Sequence, residues 1–196
     1  MTGLVLFLVL AALIGLWVVA TYNTLIALKN RVYNAFKQID VQLKRRHDLI
    51  PNLVNAVKGA MDFERETLEA VVKARNQAVQ VQQDATPATM GKLAQAEGAL
   101  SAALGRLLMV VERYPDLRAT GNIAQLQEEL TSTENKVAFA RQLYNDEATL
   151  YNTKQLQFPT NMIAGLAKAT PAELWEITEE AERAVPQVDL SSKPRA

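Results

Sequence analysis

The sequence has no cysteine and only one histidine, His47, among its 196 residues. The chain therefore forms no disulfide, offers no thiolate and has no cysteine that could carry a lipid. Di-metal sites in helical bundles use Glu-x-x-His motifs on two helices, but Lys44 rather than an acid stands three positions before His47. We predict no metal centre, no cofactor and no histidine-based catalysis.

Other signals of known chemistry are missing too. The sequence contains no glycine-rich phosphate loop and no G-x-S-x-G nucleophile motif. Its formal net charge is zero, without the basic excess of a nucleic-acid-binding protein. No useful stretch alternates apolar and polar residues with the two-residue period of a strand. These absences favour an all-α protein that is not an enzyme and binds no nucleic acid.

The main positive feature is an apolar run over residues 3–20 without a charged residue. As a helix this run rises about 27 Å, close to the roughly 30 Å of a bilayer's hydrocarbon core. Trp17 and Tyr22 suit an aromatic anchor at its exit side. The run predicts a transmembrane anchor over residues 1–21. A signal peptide cleaved after Val18-Val19-Ala20 is the alternative, although no basic residue precedes the run.

The charges that follow predict the orientation of this anchor. Residues 22–60 contain seven Lys/Arg and two Asp, whereas residues 61–196 contain fourteen Lys/Arg and nineteen Asp/Glu. Because basic flanks stay on the cytoplasmic side, we expect an external N-terminus and a cytoplasmic domain. The basic helix next to the membrane would also meet anionic lipid headgroups.

Apolar residues at three- and four-residue spacing predict an antiparallel four-helix bundle over residues 22–157. The predicted helices cover residues 22–46, 50–83, 87–113 and 123–155. Residues 47–51 are expected to form a turn or kink because Pro51 disfavours helical geometry in the residue before it. Asp48 would then cap the second helix.

Residues 158–196 are predicted to form a separate C-terminal segment. Thr170 and Glu173 form a capping box around Pro171, which predicts a short helix over about residues 171–184. The tail beyond that helix is expected to be loose.

Four of the five tyrosines are followed by asparagine. These steps are Tyr22-Asn23, Tyr33-Asn34, Tyr144-Asn145 and Tyr151-Asn152. In an antiparallel bundle Tyr151 would lie near Tyr22, and Tyr144 near Tyr33, in the half next to the membrane. We predict a Tyr/Asn layer there, for which packing and hydrogen bonding between helices is the favoured role and a ligand site is the alternative.

Three acids, Glu64, Glu97 and Glu134, fall on the apolar faces of the predicted helices. We expect them to pair with Arg75 or Arg141 inside the bundle, or to be partly exposed.

A stripe of small residues on the third helix includes Gly98 and Gly105. Such positions allow a second backbone to approach closely. We expect Gly98 and Gly105 to serve packing within the domain, with a contact between subunits as the alternative.

Several segments closely resemble the LemA family. They are Tyr22-Asn23, the run from Ile39 to Val54 with Asp48-Leu49-Ile50-Pro51 at its centre, Tyr114-Pro115-x-Leu117, Thr133-Glu134-Asn135, Tyr144-Asn145 and Tyr151-Asn152. The resemblance covers roughly residues 1–160. It implies a single N-terminal membrane helix and a helical bundle on the cytoplasmic side of a bacterial membrane. The family includes a magnetosome-membrane protein, and its members often accompany membrane-protease or stress genes. The resemblance supplies no catalytic residue.

We therefore expect a single-pass, non-enzymatic scaffold or adaptor that self-associates or holds partner proteins, a membrane protease among them. Its motivating features include the apolar residues Phe158, Met162, Ile163, Leu166 and Trp175, which would lie beside the bilayer if the fourth helix returns to it. The alternative is a bundle that binds or senses a small molecule through the Tyr/Asn layer and the three acids. That alternative requires a solvent-reachable cavity.

Overall fold

The computed structural model describes residues 1–58, 64–114 and 121–176. These residues form five helices and no strand. The helices are α1 Thr2–Lys58, α2 Arg65–Gln83, α3 Met90–Val111, α4 Gly121–Leu156 and α5 Asn161–Ala164. α1 packs most closely on α4, and α2 on α3. The predicted all-α architecture, with an apolar N-terminal helix and a four-helix bundle, is confirmed.

α1 is a single helix that joins the apolar run to the bundle. Its apolar run is entirely unburied and is long enough to cross a membrane. The helix then passes through residues 47–51 and ends at Lys58. The predicted turn and the predicted helix start at Ile50 are therefore wrong, and Asp48 lies within α1 instead of capping a helix.

The reason α1 tolerates Pro51 lies in a neighbouring helix. Proline has no N–H with which to bond the carbonyl four residues earlier, which here belongs to His47. Arg75 of α2 donates its Nε–H to that carbonyl oxygen at 3.2 Å. A side chain from α2 thus replaces the hydrogen bond that Pro51 removes.

The core side chains form two apolar clusters. Residues of the first cluster include Ile50, Val57, Leu68, Leu107 and Ile123. Residues of the second include Leu28, Phe36, Leu93, Tyr144 and Trp175. We call the part of the bundle around the first cluster the distal half and the part around the second the proximal half, because the second lies nearer the apolar run.

A salt bridge gives the register of α4 against α1. Arg46 and Glu134 contact each other at 2.9 Å. Because the two helices are antiparallel and rise equally, a residue n positions after Glu134 lies beside the residue n positions before Arg46. Leu156, at the end of α4, therefore stands beside Thr24, close to the end of the apolar run.

α2 and α3 do not reach that level. Gln82, near the end of α2, donates to the side-chain and carbonyl oxygens of Asp40 at 2.7 and 2.9 Å. α2 ends one residue later, and α3 begins at Met90, with Thr89 as its N-cap. Nearer the apolar run, α1 and α4 are instead covered by α5 and by residues 169–176, which we call the strap.

The predicted helix over residues 171–184 is not formed in its described part. Residues 171–176 have no regular secondary structure, because their backbone groups bond to side chains of α4 instead of to one another. Residues 177–184 lie outside the described part of the chain.

Candidate functional site

Two asparagines of α4 hold the strap. Asn152 donates from Nδ2 to the carbonyl oxygen of Ala172 at 2.8 Å and accepts the Ala172 N–H at 2.9 Å. Asn145 makes the same two bonds with Trp175, at 3.0 and 2.8 Å. Each amide thus pairs with both backbone groups of one strap residue, as a neighbouring strand would.

The spacing of the two Tyr-Asn steps on α4 matches this geometry. Seven helical residues rise about 10.5 Å. The three-residue step from Ala172 to Trp175 covers about 10 Å when extended, but only about 4.5 Å as a helix. The two asparagines therefore select an extended strap and exclude the predicted helix at this point.

Tyr144 completes the attachment of the strap. Its hydroxyl lies 2.7 Å from the carbonyl oxygen of Glu173 and 3.2 Å from that of Pro87. Glu173 also donates its N–H to Pro87 at 2.8 Å and accepts the Gly91 N–H at 3.0 Å. Burial raises the pKa of Tyr144, and the charge of Glu173 raises it further, so the hydroxyl remains a neutral donor at physiological pH.

The strap also contributes a side chain to the core. Trp175 is only 5% exposed and belongs to the proximal apolar cluster. The Arg141 guanidinium lies over its ring, 5.0 Å from the centroid. Charge above an aromatic face is attractive, so the sequence motif at residues 141–145 binds the strap through both side-chain stacking and hydrogen bonds.

The predicted Tyr/Asn layer is divided between two surroundings. Tyr144 and Tyr151 of α4 are buried, whereas Tyr22, Tyr33 and their following asparagines on α1 are exposed. The predicted pairing of Tyr22 with Tyr151 does not hold, because the register of α4 on α1 places Tyr151 beside Lys29, about 10 Å along the helix from Tyr22. Tyr151 instead lines a cavity with Tyr33.

This cavity has a volume of about 300 Å³. Lys29, Asn30 and Tyr33 line it from α1, Tyr151 from α4 and Pro171 from the strap. The Tyr151 hydroxyl is buried and has no hydrogen-bond partner in the described part of the chain. Burial also raises its pKa, so it is available there as a neutral donor.

A buried charged network separates the two apolar clusters. Glu97 accepts from Arg46 at 3.1 Å and lies 2.7 Å from Nε2 of His47. Arg46 also donates to Ser101 at 2.8 Å and pairs with Glu134. The partners of Glu97 and Glu134 are thus Arg46 and His47 rather than the predicted Arg75 and Arg141. The expected partial exposure holds for Glu134, whose side chain is 48% exposed. His47 lies inside α1 rather than in a turn.

The centre of the network is shielded from solvent, although His47 also lines a cavity of about 370 Å³ between α1 and α2. Arg46, His47 and Glu97 are at most 3% exposed. Among the described residues, no group of three or more His, Asp and Glu side chains could hold a metal ion. Glu64, the third predicted acid, precedes α2 and makes no side-chain cap there. The arrangement is that of a structural ion cluster, which the sequence suggested only through Glu97 and Glu134.

The glycine stripe does not serve packing inside the bundle. A Cβ atom added at Gly98 or Gly105 would meet no atom of the described residues within 4 Å. The first expectation for these glycines, a close approach within the domain, is therefore wrong. This face of α3 points outward.

Two groups of large apolar side chains remain exposed outside the apolar run. On the side of the bundle, Val41, Phe139 and Leu143 line a groove of about 490 Å³ between α1 and α4. At the end of the bundle nearer the apolar run, Phe158 and Met162 are exposed, whereas the nearby Ile163 is buried. These surfaces, unlike the charged network, can meet another molecule.

The sequence matches the profile of the LemA family over residues 35–190. Protein LemA of Metamycoplasma hominis is 28% identical over 142 residues, covering 72% of this chain and 63% of the relative. Magnetosome protein MamQ 2 of Paramagnetospirillum magneticum is 25% identical over 175 residues, covering 79% of this chain and 64% of the relative. Magnetosome protein MamQ of Magnetospirillum gryphiswaldense is 23% identical over 163 residues, covering 73% of this chain and 60% of the relative. The chain thus spans less than two thirds of the length of these relatives.

Proposed function

This chain belongs to the LemA family, and we propose that it is a non-enzymatic scaffold or adaptor on a bacterial cytoplasmic membrane. In this proposal residues 1–21 cross the bilayer with the N-terminus outside, and the bundle stands in the cytoplasm. The observation that carries the proposal is the continuity of α1, which extends from the unburied apolar run into both halves of the core.

A continuous α1 fixes the bundle relative to its anchor. The part of α1 after the apolar run, residues 21–58, rises about 57 Å. Each surface feature therefore keeps one position along the axis of the anchor in every copy. Phe139, which the register places beside Val41, stands about 30 Å beyond the end of the run.

We assign self-association to the groove lined by Val41, Phe139 and Leu143. Copies with the same anchor present this groove at the same height and in the same orientation, as a two-fold interface requires. Phe139 is 73% exposed, and covering a ring of this size in a second copy would stabilise a dimer by about 1.5–3 kcal/mol.

The test is mass photometry of the detergent-solubilised full chain at low concentration. We expect dimers or larger assemblies, which the Phe139→Ser variant should lose. Phe158→Ser is the matched control, since Phe158 is equally exposed but lies at the other apolar surface. A monomeric wild-type protein, or assemblies that survive Phe139→Ser and not Phe158→Ser, would contradict this assignment. If the wild-type protein is a monomer, the partner to test next for this groove is a separate membrane protein, such as a protease.

The cavity beside Tyr151 supports a second candidate function, the binding of a small molecule. Its volume of about 300 Å³ lies at the lower end of ligand pockets. Lys29 and the free Tyr151 hydroxyl would suit a small ligand that carries a hydrogen-bond acceptor. Native mass spectrometry of the purified full chain should then show a bound adduct that Tyr151→Phe reduces. Wild-type protein without an adduct would count against this candidate.

A further inference from the structure

A group of large apolar side chains is exposed immediately after α4. Leu156, Phe158, Met162 and Leu166 are 69–81% exposed. Met162 and Leu166 stand four residues apart in a stretch of helix and turn, so they share one side of it. Ile163 on the other side is buried, as is Ala167. The segment over residues 156–167 therefore has one apolar side in the bundle and a second that nothing in the described chain covers.

The level of this segment follows from the salt bridge between Arg46 and Glu134. That register places Leu156 beside Thr24, about 6 Å beyond the end of the apolar run. α5 also packs on α1. Thr21 and Leu25 are buried although α2 and α3 end far from them, so this segment and the end of α4 cover them. The exposed apolar stripe thus lies where the anchor leaves the bilayer.

Among the residues that the structure describes, the charges at this end are of one sign. Residues 22–39 and residues 148–172 contain no Asp or Glu, while they contain three and two Lys/Arg respectively. The nearest acid of the strap, Glu173, is turned towards Gly91 of α3. A surface that combines basic side chains with exposed apolar side chains is suited to the headgroup region of an anionic bilayer.

We propose that residues 156–166 form a second membrane contact, in which Phe158, Met162 and Leu166 enter the interface of the leaflet that α1 leaves. The transmembrane helix and this contact together hold the bundle at two points. They set its tilt and its rotation about α1, which a lone helix would leave free. The proposal does not depend on the scaffold function.

The absence of cysteine allows this contact to be tested with single labels. The full chain would be placed, one copy per nanodisc, in bilayers containing anionic lipid. A polarity-sensitive fluorophore would be attached to Phe158→Cys, Met162→Cys or Phe139→Cys. Phe139 is the matched control, because it is an exposed phenylalanine about 30 Å from the bilayer.

We expect labels at positions 158 and 162 to emit at shorter wavelength than the label at 139. Nitroxides attached near the lipid headgroup should quench the labels at positions 158 and 162 several-fold more strongly than the label at 139. Aqueous iodide should quench them several-fold less than the label at 139. Equal quenching at all three positions would overturn the proposal. The proposal would also be overturned if the labels at 158 and 162 were protected from iodide only when a nanodisc holds two copies. That result would show that a second copy, rather than the bilayer, covers these side chains. Circular dichroism of each variant establishes that the helical content is retained.

Discussion

The two halves of the bundle are completed in different ways. In the distal half, four helices surround an apolar cluster formed by residues such as Val57, Leu107 and Ile123. In the proximal half, α3 contributes only its first turns, through residues such as Leu93, and an irregular strap brings Ala172 and Trp175 to the core. Helix periodicity suffices to build the distal half. The proximal half also depends on α4 side chains that bind the backbone of the strap.

The comparison explains where polar residues occur. In the distal half the one irregularity in α1, Pro51, is offset by a single side chain, Arg75. In the proximal half Tyr144, Asn145 and Asn152 replace the backbone partners that an extended strap lacks. Buried polar groups are usually hydrogen-bonded, and these hydrogen-bonded side chains lie where regular helix structure or packing is interrupted.

The largest expected effect is at the boundary between the halves. Glu97→Gln removes the carboxylate that neutralises Arg46 and leaves both Arg46 and His47 buried. Breaking a buried ion pair from one side costs about 3–5 kcal/mol, so the free energy of unfolding should fall by about 3 kcal/mol in chemical denaturation followed by circular dichroism. Glu134→Gln is the control. Its carboxylate is about half exposed, and its loss should cost less than about 1 kcal/mol. Equal effects of the two variants would contradict a closed central network.

A change at Asn152 should loosen the proximal half alone. Asn152→Asp removes the donor to the Ala172 carbonyl, and leaving a buried partner unpaired costs about 1–3 kcal/mol. Hydrogen exchange of the Ala172 and Trp175 amides should accelerate about tenfold or more, since about 1.4 kcal/mol corresponds to a factor of ten. Exchange in α2 should stay unchanged. Asn34→Asp, in an exposed Tyr-Asn step, should leave the strap amides unaffected. If α2 loosens as much as the strap, the two halves are not separable.

The distal half can be tested through Pro51 and Arg75. Arg75→Ala leaves the His47 carbonyl without its donor and should lower the free energy of unfolding by about 1–2 kcal/mol. Pro51→Ala restores a backbone N–H to the same carbonyl and should stabilise the helix. When Pro51 is already replaced by Ala, Arg75→Ala should therefore lower the free energy of unfolding by clearly less than it does in the wild-type protein. A double-mutant cycle measures this coupling, and additive effects would show that Arg75 does not replace the missing bond.

The smallest effects are expected at the outward-facing glycines. Gly98→Ala and Gly105→Ala place a methyl group in open space, and alanine favours a helix over glycine by about 0.5–1 kcal/mol. Each variant should raise the midpoint of thermal unfolding without changing assembly in mass photometry. Loss of assembly in either variant would move the subunit contact to α3.

The sequence predicted what depends on local periodicity. The apolar residues that recur at three- and four-residue spacing along α1, such as Leu25, Phe36 and Leu43, are buried, and the bounds of α4 differ from the prediction by a residue or two. These features follow from the 3.6-residue repeat, which is visible along the chain.

What the sequence did not predict depends on distant partners. Pro51 stays inside α1 because of a residue twenty-four positions away, and the strap is extended because of asparagines on another helix. The seven-residue spacing of Tyr144-Asn145 and Tyr151-Asn152 was the available signal for the strap, but it was assigned to contacts with α1. The capping box at Thr170 favoured a helix locally, and long-range hydrogen bonds outweighed it.

The continuity of α1 is the central claim, and one distance measurement tests it most directly. Spin labels on the Asn23→Cys, Lys58→Cys double variant would be placed on two exposed positions of α1, and pulsed electron resonance would measure their separation in nanodiscs. Thirty-five helical residues predict a separation of about 52 Å. A helix reversal at residues 47–51 would shorten it to about 30 Å, and a distance in that range would contradict a bundle fixed rigidly to its membrane anchor.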